Sequence, residues 1–169
     1  MSAGRFRNVT FALAAIVLAG GMMLPGVSAQ APIKKVEKAK LAKTVPAATH
    51  KVAIQVNQND KAVMDLALNN AKNIIDYYKE KGETVAIEIV TYGPGLHMLR
   101  ADTSPVKERI APMSLENPNL KFIACANTQA NQAKAEGKPV TLISEAKLAP
   151  SGVVRLMELQ KQGYAYIRP

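Results

Sequence analysis

The chain has 169 residues, a formal net charge of +9 and a single cysteine. One cysteine excludes an intramolecular disulfide, a Cys-x-x-Cys redox pair and a multi-cysteine metal site. Residues 1–48 carry +6 of the charge. The rest of the chain therefore lacks the strongly basic surface of nucleic-acid-binding proteins, and we expect no nucleic-acid partner.

Residues 1–29 have the features of an export signal peptide. Arg5 and Arg7 precede an apolar run over residues 9–24, a Pro-Gly pair follows, and small residues lead up to Ala29. A membrane anchor is the alternative, but a span needs roughly 20 apolar residues and this run is shorter. The pattern predicts cleavage after Ala29, a periplasmic or secreted location, and no membrane contact after cleavage.

The remainder divides into a linker and one domain. Residues 30–48 are rich in Lys and Ala and predict a flexible linker. From residue 49 to residue 169 the chain is long enough for one domain with one core. We expect strands and helices to alternate there, as follows: strand 50–56, helix 61–81, strand 84–91, short helix 96–100, helix from 104, strand 120–124, helix 128–136, strand 140–143 or 147–149, helix 151–162 and strand 164–167.

This alternation predicts an α/β fold, a single three-layer domain with a mainly parallel sheet and helices on both faces. In the last helix, Val153, Leu156 and Met157 are predicted to face the core. Right-handed crossovers place every strand-to-helix loop at one edge of such a sheet, where ligands bind. We therefore expect Asn57, Asn59, the 93–97 segment and the 125–127 segment to gather at that edge.

Cys125 is the first candidate for chemistry. It lies where an apolar strand meets a helix that Thr128 is expected to cap. The amides and the dipole at a helix N-terminus favour a thiolate, which could accept a sulfur atom or form a mixed disulfide. The alternative is a small buried hydrophobic residue, as free cysteines often are.

The Gly93-Pro94-Gly95 loop and His97 are the second candidates. The glycine amides could face an anion, and His97 could exchange protons with Cys125, with Asn57 or Asn127 as a further polar partner. The alternatives are a tight turn without a ligand and a structural histidine. The two histidines and one cysteine show no metal-ligand spacing, so we expect neither a metal site nor a cofactor.

Glu88 is the one carboxylate within a predicted strand. It could be a residue of an edge strand or a satisfied polar residue. No second acid pairs with it in the sequence, so glycosidase chemistry, which needs two carboxylates, is not supported.

Three segments together resemble the DsrE/DsrF-like family: Val-Thr-Tyr-Gly-Pro-Gly-Leu at 90–96, Phe-Ile-Ala-Cys-Ala-Asn-Thr at 122–128, and the stretch from Pro150 to Ile167. The resemblance implies a compact three-layer α/β fold and assembly as a homo-oligomer, a trimer or larger. For some members it also implies sulfur relay through a cysteine persulfide, and Cys125 stands at the matching position.

The resemblance gives two functional expectations. The first is an exported carrier of persulfide sulfur, or a thiol-dependent small-ligand binder, that works with a sulfur donor or acceptor protein. Cys125 would accept the sulfur, with His97, Gly93 and Gly95 shaping its pocket. The alternative is a noncatalytic oligomeric binding module in which Cys125 is structural. Both are carrier or binding roles rather than turnover catalysis.

Overall fold

The computed structural model describes residues 48–169, so the predicted signal peptide (1–29) and nearly all of the predicted linker (30–48) lie outside the described residues. None of the helices from residue 48 onward is long and apolar enough to cross a membrane. The strands are β1 His50–Val56, β2 Val85–Thr91, β3 Leu120–Cys125, β4 Ala146–Ala149 and β5 Ala165–Ile167. The helices are α1 Lys61–Glu80, a 3-10 helix Gly93–Leu99, α2 Lys107–Glu116, α3 Ala126–Glu136 and α4 Gly152–Lys161.

The five strands form one parallel sheet in the order β4-β3-β2-β1-β5. The predicted single three-layer α/β domain is confirmed. β4 corresponds to the second of the two ranges that the sequence left open. Because all strands run in the same direction, the loops that follow β1, β2 and β3 lie at the same edge of the sheet.

One face of the sheet carries most of the core. Alternate residues of β1, β2 and β3, such as Ile54, Ile89 and Phe122, pack against α1, the 3-10 helix and α2. α1 begins where the sequence predicts, because the Asp60 carboxylate accepts a hydrogen bond from the Ala62 N–H at 2.8 Å. This face anchors the scaffold that positions the loops.

The opposite face is covered by α4, which buries Leu156 and Leu159 against a small apolar cluster on the sheet. The predicted inward position of Leu156 is confirmed. The same prediction for Val153 and Met157 is wrong, because both are about half exposed. The buried residues of α4 are Gly152, Leu156 and Leu159, which share one stripe of the helix at spacings of four and three.

Glu88 ties α4 to the sheet. Its side chain lies on β2, the central strand, and is 2% exposed. Arg155 of α4 donates two hydrogen bonds to the carboxylate, from Nε at 2.8 Å and from Nη2 at 2.6 Å. The edge-strand alternative is therefore wrong, and Glu88 is a buried carboxylate with a bidentate arginine partner.

Candidate functional site

Cys125 ends β3 and is itself the N-cap of α3. Its backbone is extended, with φ −75° and ψ 115°, and its Sγ accepts a hydrogen bond from the Thr128 N–H at 3.4 Å. The prediction that Thr128 caps this helix is wrong: the helix begins at Ala126, which places Thr128 in its first turn. The sulfur thus occupies the position where Ser, Thr, Asp or Asn usually accepts the free N–H groups of a helix.

A second helix N-terminus approaches the same cysteine. Gly152, the first residue of α4, packs so closely that a Cβ atom there would lie 2.9 Å from Tyr92 Cβ and 3.3 Å from Cys125 Cβ. A side chain at this position would separate α4 from the cysteine. Because the N-terminal ends of α3 and α4 both meet Cys125, two helix dipoles place partial positive charge next to one sulfur.

The electrostatics favour the thiolate, although the side chain is buried. Cys125 is 4% exposed, and this burial raises the pKa of its thiol. The Thr128 hydroxyl and the backbone N–H groups of Gly152, Thr128 and Asn127 oppose burial, and the net pKa lies below the ordinary value for cysteine. The burial expected of a structural cysteine is present, but the hydrogen-bond donors around the sulfur outweigh its effect, so the net pKa is not raised as it would be in an apolar environment.

His97 lies apart from this thiol contact. Its Nδ1 forms a hydrogen bond with Thr103 Oγ1 at 2.8 Å, and within residues 48–169 no hydrogen bond joins it to Cys125. The imidazole instead lines an open cavity of about 440 Å³ at the carboxyl edge of the sheet. The other lining residues are Asn59, Gly93, Pro94, Thr128, Asn131, Gln132 and Ala135.

The Gly93-Pro94-Gly95 loop is shaped by contacts within the protein. Gly93 has φ +54°, which glycine adopts easily, and its N–H donates to Thr128 Oγ1 at 3.0 Å. A Cβ on Gly95 would lie 2.2 Å from the Val56 carbonyl oxygen, and the Gly95 N–H donates to the Tyr92 carbonyl at 3.1 Å. Both amides that were expected to face an anion therefore have protein acceptors.

Asn57 and Asn127 reach the site by different routes. The half-buried Asn57 hydrogen-bonds the Tyr92 side chain, whose pKa is raised mainly by burial. Asn127 has an exposed side chain, and its N–H donates to the Pro150 carbonyl at 3.3 Å, which links the start of α3 to the segment before α4. The edge predicted from the sequence therefore does gather residues from three loops.

Sequence reasoning missed two contributors, Tyr92 and Gly152. The Ser-Gly pair at 151–152 signals a helix start, and Ser151 does cap α4. Nothing local indicates that this start meets β3. Among residues 48–169, no group of three or more His, Cys, Asp or Glu side chains could hold a metal ion.

Comparisons with known proteins support the fold without naming a function. No family model matches the chain, and no curated protein matches it. Among solved structures, the chain is similar to a protein of unknown function, MTH1491 from Methanobacterium thermoautotrophicum, with 28% sequence identity and a TM-score of 0.60. The match covers 71% of this chain and 99% of that one. The class that fold and site define is a parallel three-layer α/β domain with a helix-capping cysteine.

Proposed function

We propose that this protein is an exported, DsrE-like carrier of sulfane sulfur that accepts the sulfur atom on Cys125. The observation that carries the proposal is the position of Cys125 Sγ between the N-terminal ends of α3 and α4, where backbone N–H groups lower the pKa of the thiol. A thiolate is the nucleophile that sulfur transfer requires.

The location of the three family-like segments also supports this role. The 90–96 segment supplies Tyr92 and Gly93, the 122–128 segment supplies Cys125 and Thr128, and the 150–167 segment begins with the N-terminus of α4. These segments are far apart in the sequence, yet they contact one another next to Cys125. Each of the three segments contributes a residue near Cys125, which favours a role for that side chain.

The transfer needs no oxidant. The Cys125 thiolate attacks the outer sulfur of a donor persulfide, R–S–SH, and a new S–S bond forms on Cys125. The donor S–S bond breaks, its electron pair leaves with R–S⁻, and the proton stays on the transferred sulfur. Delivery to an acceptor thiolate is the same reaction in reverse. The N–H groups around Sγ stabilise the anion before attack and after departure.

Access to the sulfur requires a small opening, because Cys125 is only 4% exposed. One short segment packs against the cysteine: Pro150 is exposed, Ser151 is half-buried, and Gly152 lies next to Cys125 Cβ. The hydrogen bond from Asn127 N–H to Pro150 O at 3.3 Å holds this segment next to the start of α3. Movement of residues 150–152 away from β3 would expose Sγ without disturbing the larger core on the other face.

The test is intact mass spectrometry after incubation with a small persulfide donor. The proposal predicts a mass increase of one sulfur atom that a reducing thiol removes. The matched control is Cys125→Ser, which keeps the size of the side chain and loses the nucleophile. An unmodified wild-type protein, or equal modification of the control, would reject the carrier role.

A second candidate function is a noncatalytic, oligomeric binding module with a structural Cys125. Two observations favour it: the low exposure of the thiol, and an apolar strip of Val153, Val154 and Met157 that is about half exposed on α4. Such a strip suits a subunit contact. Thiol labelling of the native protein separates the two functions, because a carrier reacts under native conditions and the module reacts only after denaturation.

A further inference from the structure

We propose that Thr128 is a positioning residue that links the Gly93 backbone to the Cys125 sulfur through a chain of hydrogen bonds. This inference rests on the proposed function and deepens it, because it assigns the glycine loop a part in setting the state of the thiol. The residues involved come from the glycine loop and from the junction of β3 and α3, more than thirty positions apart in the sequence.

The first link of the chain joins the glycine loop to the start of α3. The Gly93 N–H donates to Thr128 Oγ1 at 3.0 Å, so the hydroxyl acts as an acceptor toward the loop. A threonine hydroxyl has one proton to donate. With its oxygen engaged by Gly93, that proton is free to be directed toward another acceptor.

The second link reaches the sulfur. Thr128 lies in the first turn of α3, and its backbone N–H donates to Cys125 Sγ at 3.4 Å. The Thr128 hydroxyl is, after burial, the largest influence on the pKa of the Cys125 thiol, and it lowers that pKa. Thr128 therefore contacts the sulfur through its backbone N–H and the glycine loop through its hydroxyl.

The glycine loop holds this arrangement in place. Gly95 fits against the end of β1 with no space for a side chain, and Gln132 Nε2 donates to the Gly93 carbonyl at 3.2 Å. The loop is thus fixed on both sides of the Gly93 N–H that meets Thr128. These internal contacts give the Gly-Pro-Gly motif a structural role.

The test is a titration of the thiolate by its ultraviolet absorbance, with the matching Cys125→Ala protein subtracted to remove the tyrosines. Thr128→Val keeps the shape and removes the hydroxyl; Thr128→Ala removes it with less steric demand, should valine prevent folding. We expect the titration midpoint to rise in both, with roughly threefold to tenfold less thiolate at neutral pH. Thr128→Ser, which keeps the hydroxyl, should restore the wild-type midpoint.

Thr103→Val is the matched control, because the Thr103 hydroxyl contacts His97 rather than the sulfur. It should leave the midpoint unchanged. An unmoved midpoint in both hydroxyl-free variants, or a shift in Thr128→Ser as large as theirs, would overturn the positioning role. The titration uses no sulfur donor, so its result does not depend on sulfur loading. A protein that fails to take up sulfur would count against the proposed function, whereas an unmoved midpoint would count against the role of Thr128.

Discussion

Gly152→Ala tests whether α4 must approach Cys125 closely. The added methyl group would lie 2.9 Å from Tyr92 Cβ, 3.1 Å from Tyr92 Cδ1 and 3.3 Å from Cys125 Cβ. Two of these neighbours are Cβ atoms fixed to the backbone, so α4 itself must shift. Overpacking of this kind costs about 1–3 kcal/mol. Alanine recovers part of this through its better helix propensity, so we expect a net destabilisation of about 1–2 kcal/mol.

The same shift should act on the thiol. The Gly152 N–H is one of the groups that lower the pKa of Cys125, so its withdrawal should raise that pKa toward the ordinary value. Denaturant unfolding measures the stability change, and thiolate absorbance measures the titration. Val153→Ala, at an exposed position next along the helix, is the control and should change neither by much. A Gly152→Ala protein with wild-type stability and an unshifted thiol would refute the close approach.

Two further changes test other parts of the structure. Arg155→Met removes the two hydrogen bonds from the guanidinium to the buried Glu88 carboxylate and leaves it Lys121, whose Nζ lies 4.0 Å away. This change should destabilise the protein by about 3 kcal/mol in denaturant unfolding. Combining it with Glu88→Leu should restore much of this loss; a double variant as unstable as the single one would contradict the pairing. Arg100 donates hydrogen bonds to both carboxylate oxygens of Asp102, from Nε at 2.9 Å and from Nη2 at 2.7 Å, and lowers the pKa of this carboxyl to about 2. The stability advantage of the wild-type protein over Asp102→Asn should therefore be full above the ordinary pKa of 3.8 and be lost as pH falls through 2. An advantage that persists below pH 2 would contradict this contact.

The layers of this fold could be predicted from the sequence because the local signals agree with the tertiary structure. Alternating apolar residues and the Asn-Gln-Asn-Asp sequence after Val56 mark β1, and the bounds of that strand are as predicted. α1 has helical spacing, an Asp60 cap and Gly82 beyond its end. The face that α4 turns to the sheet was harder to predict from the sequence, since Val153 and Met157 have the same apolar character as the residues that the helix buries.

The site was only partly predictable, because its decisive contacts are between distant segments. The sequence indicated that Cys125 would meet the start of a helix, but it placed the cap at Thr128, which is a commoner N-cap residue than cysteine. The approach of Gly152 and the hydrogen bond between Gly93 and Thr128 depend on how loops pack at the sheet edge. Hydrophobic periodicity and helix-capping patterns do not predict such packing between distant segments.

The most direct test of the central claim compares the titration of Cys125 in the native and the denatured protein. We predict a lower midpoint in the native state, since two helix starts and the Thr128 hydroxyl stabilise the anion more than burial opposes it. The lowered pKa of Cys125 therefore contributes to the free energy of unfolding. This contribution should be fully present above the ordinary thiol pKa and be lost as pH falls through the pKa of the native protein. A native midpoint equal to or above the denatured one would contradict the account, because the sulfur would then be an ordinary buried thiol.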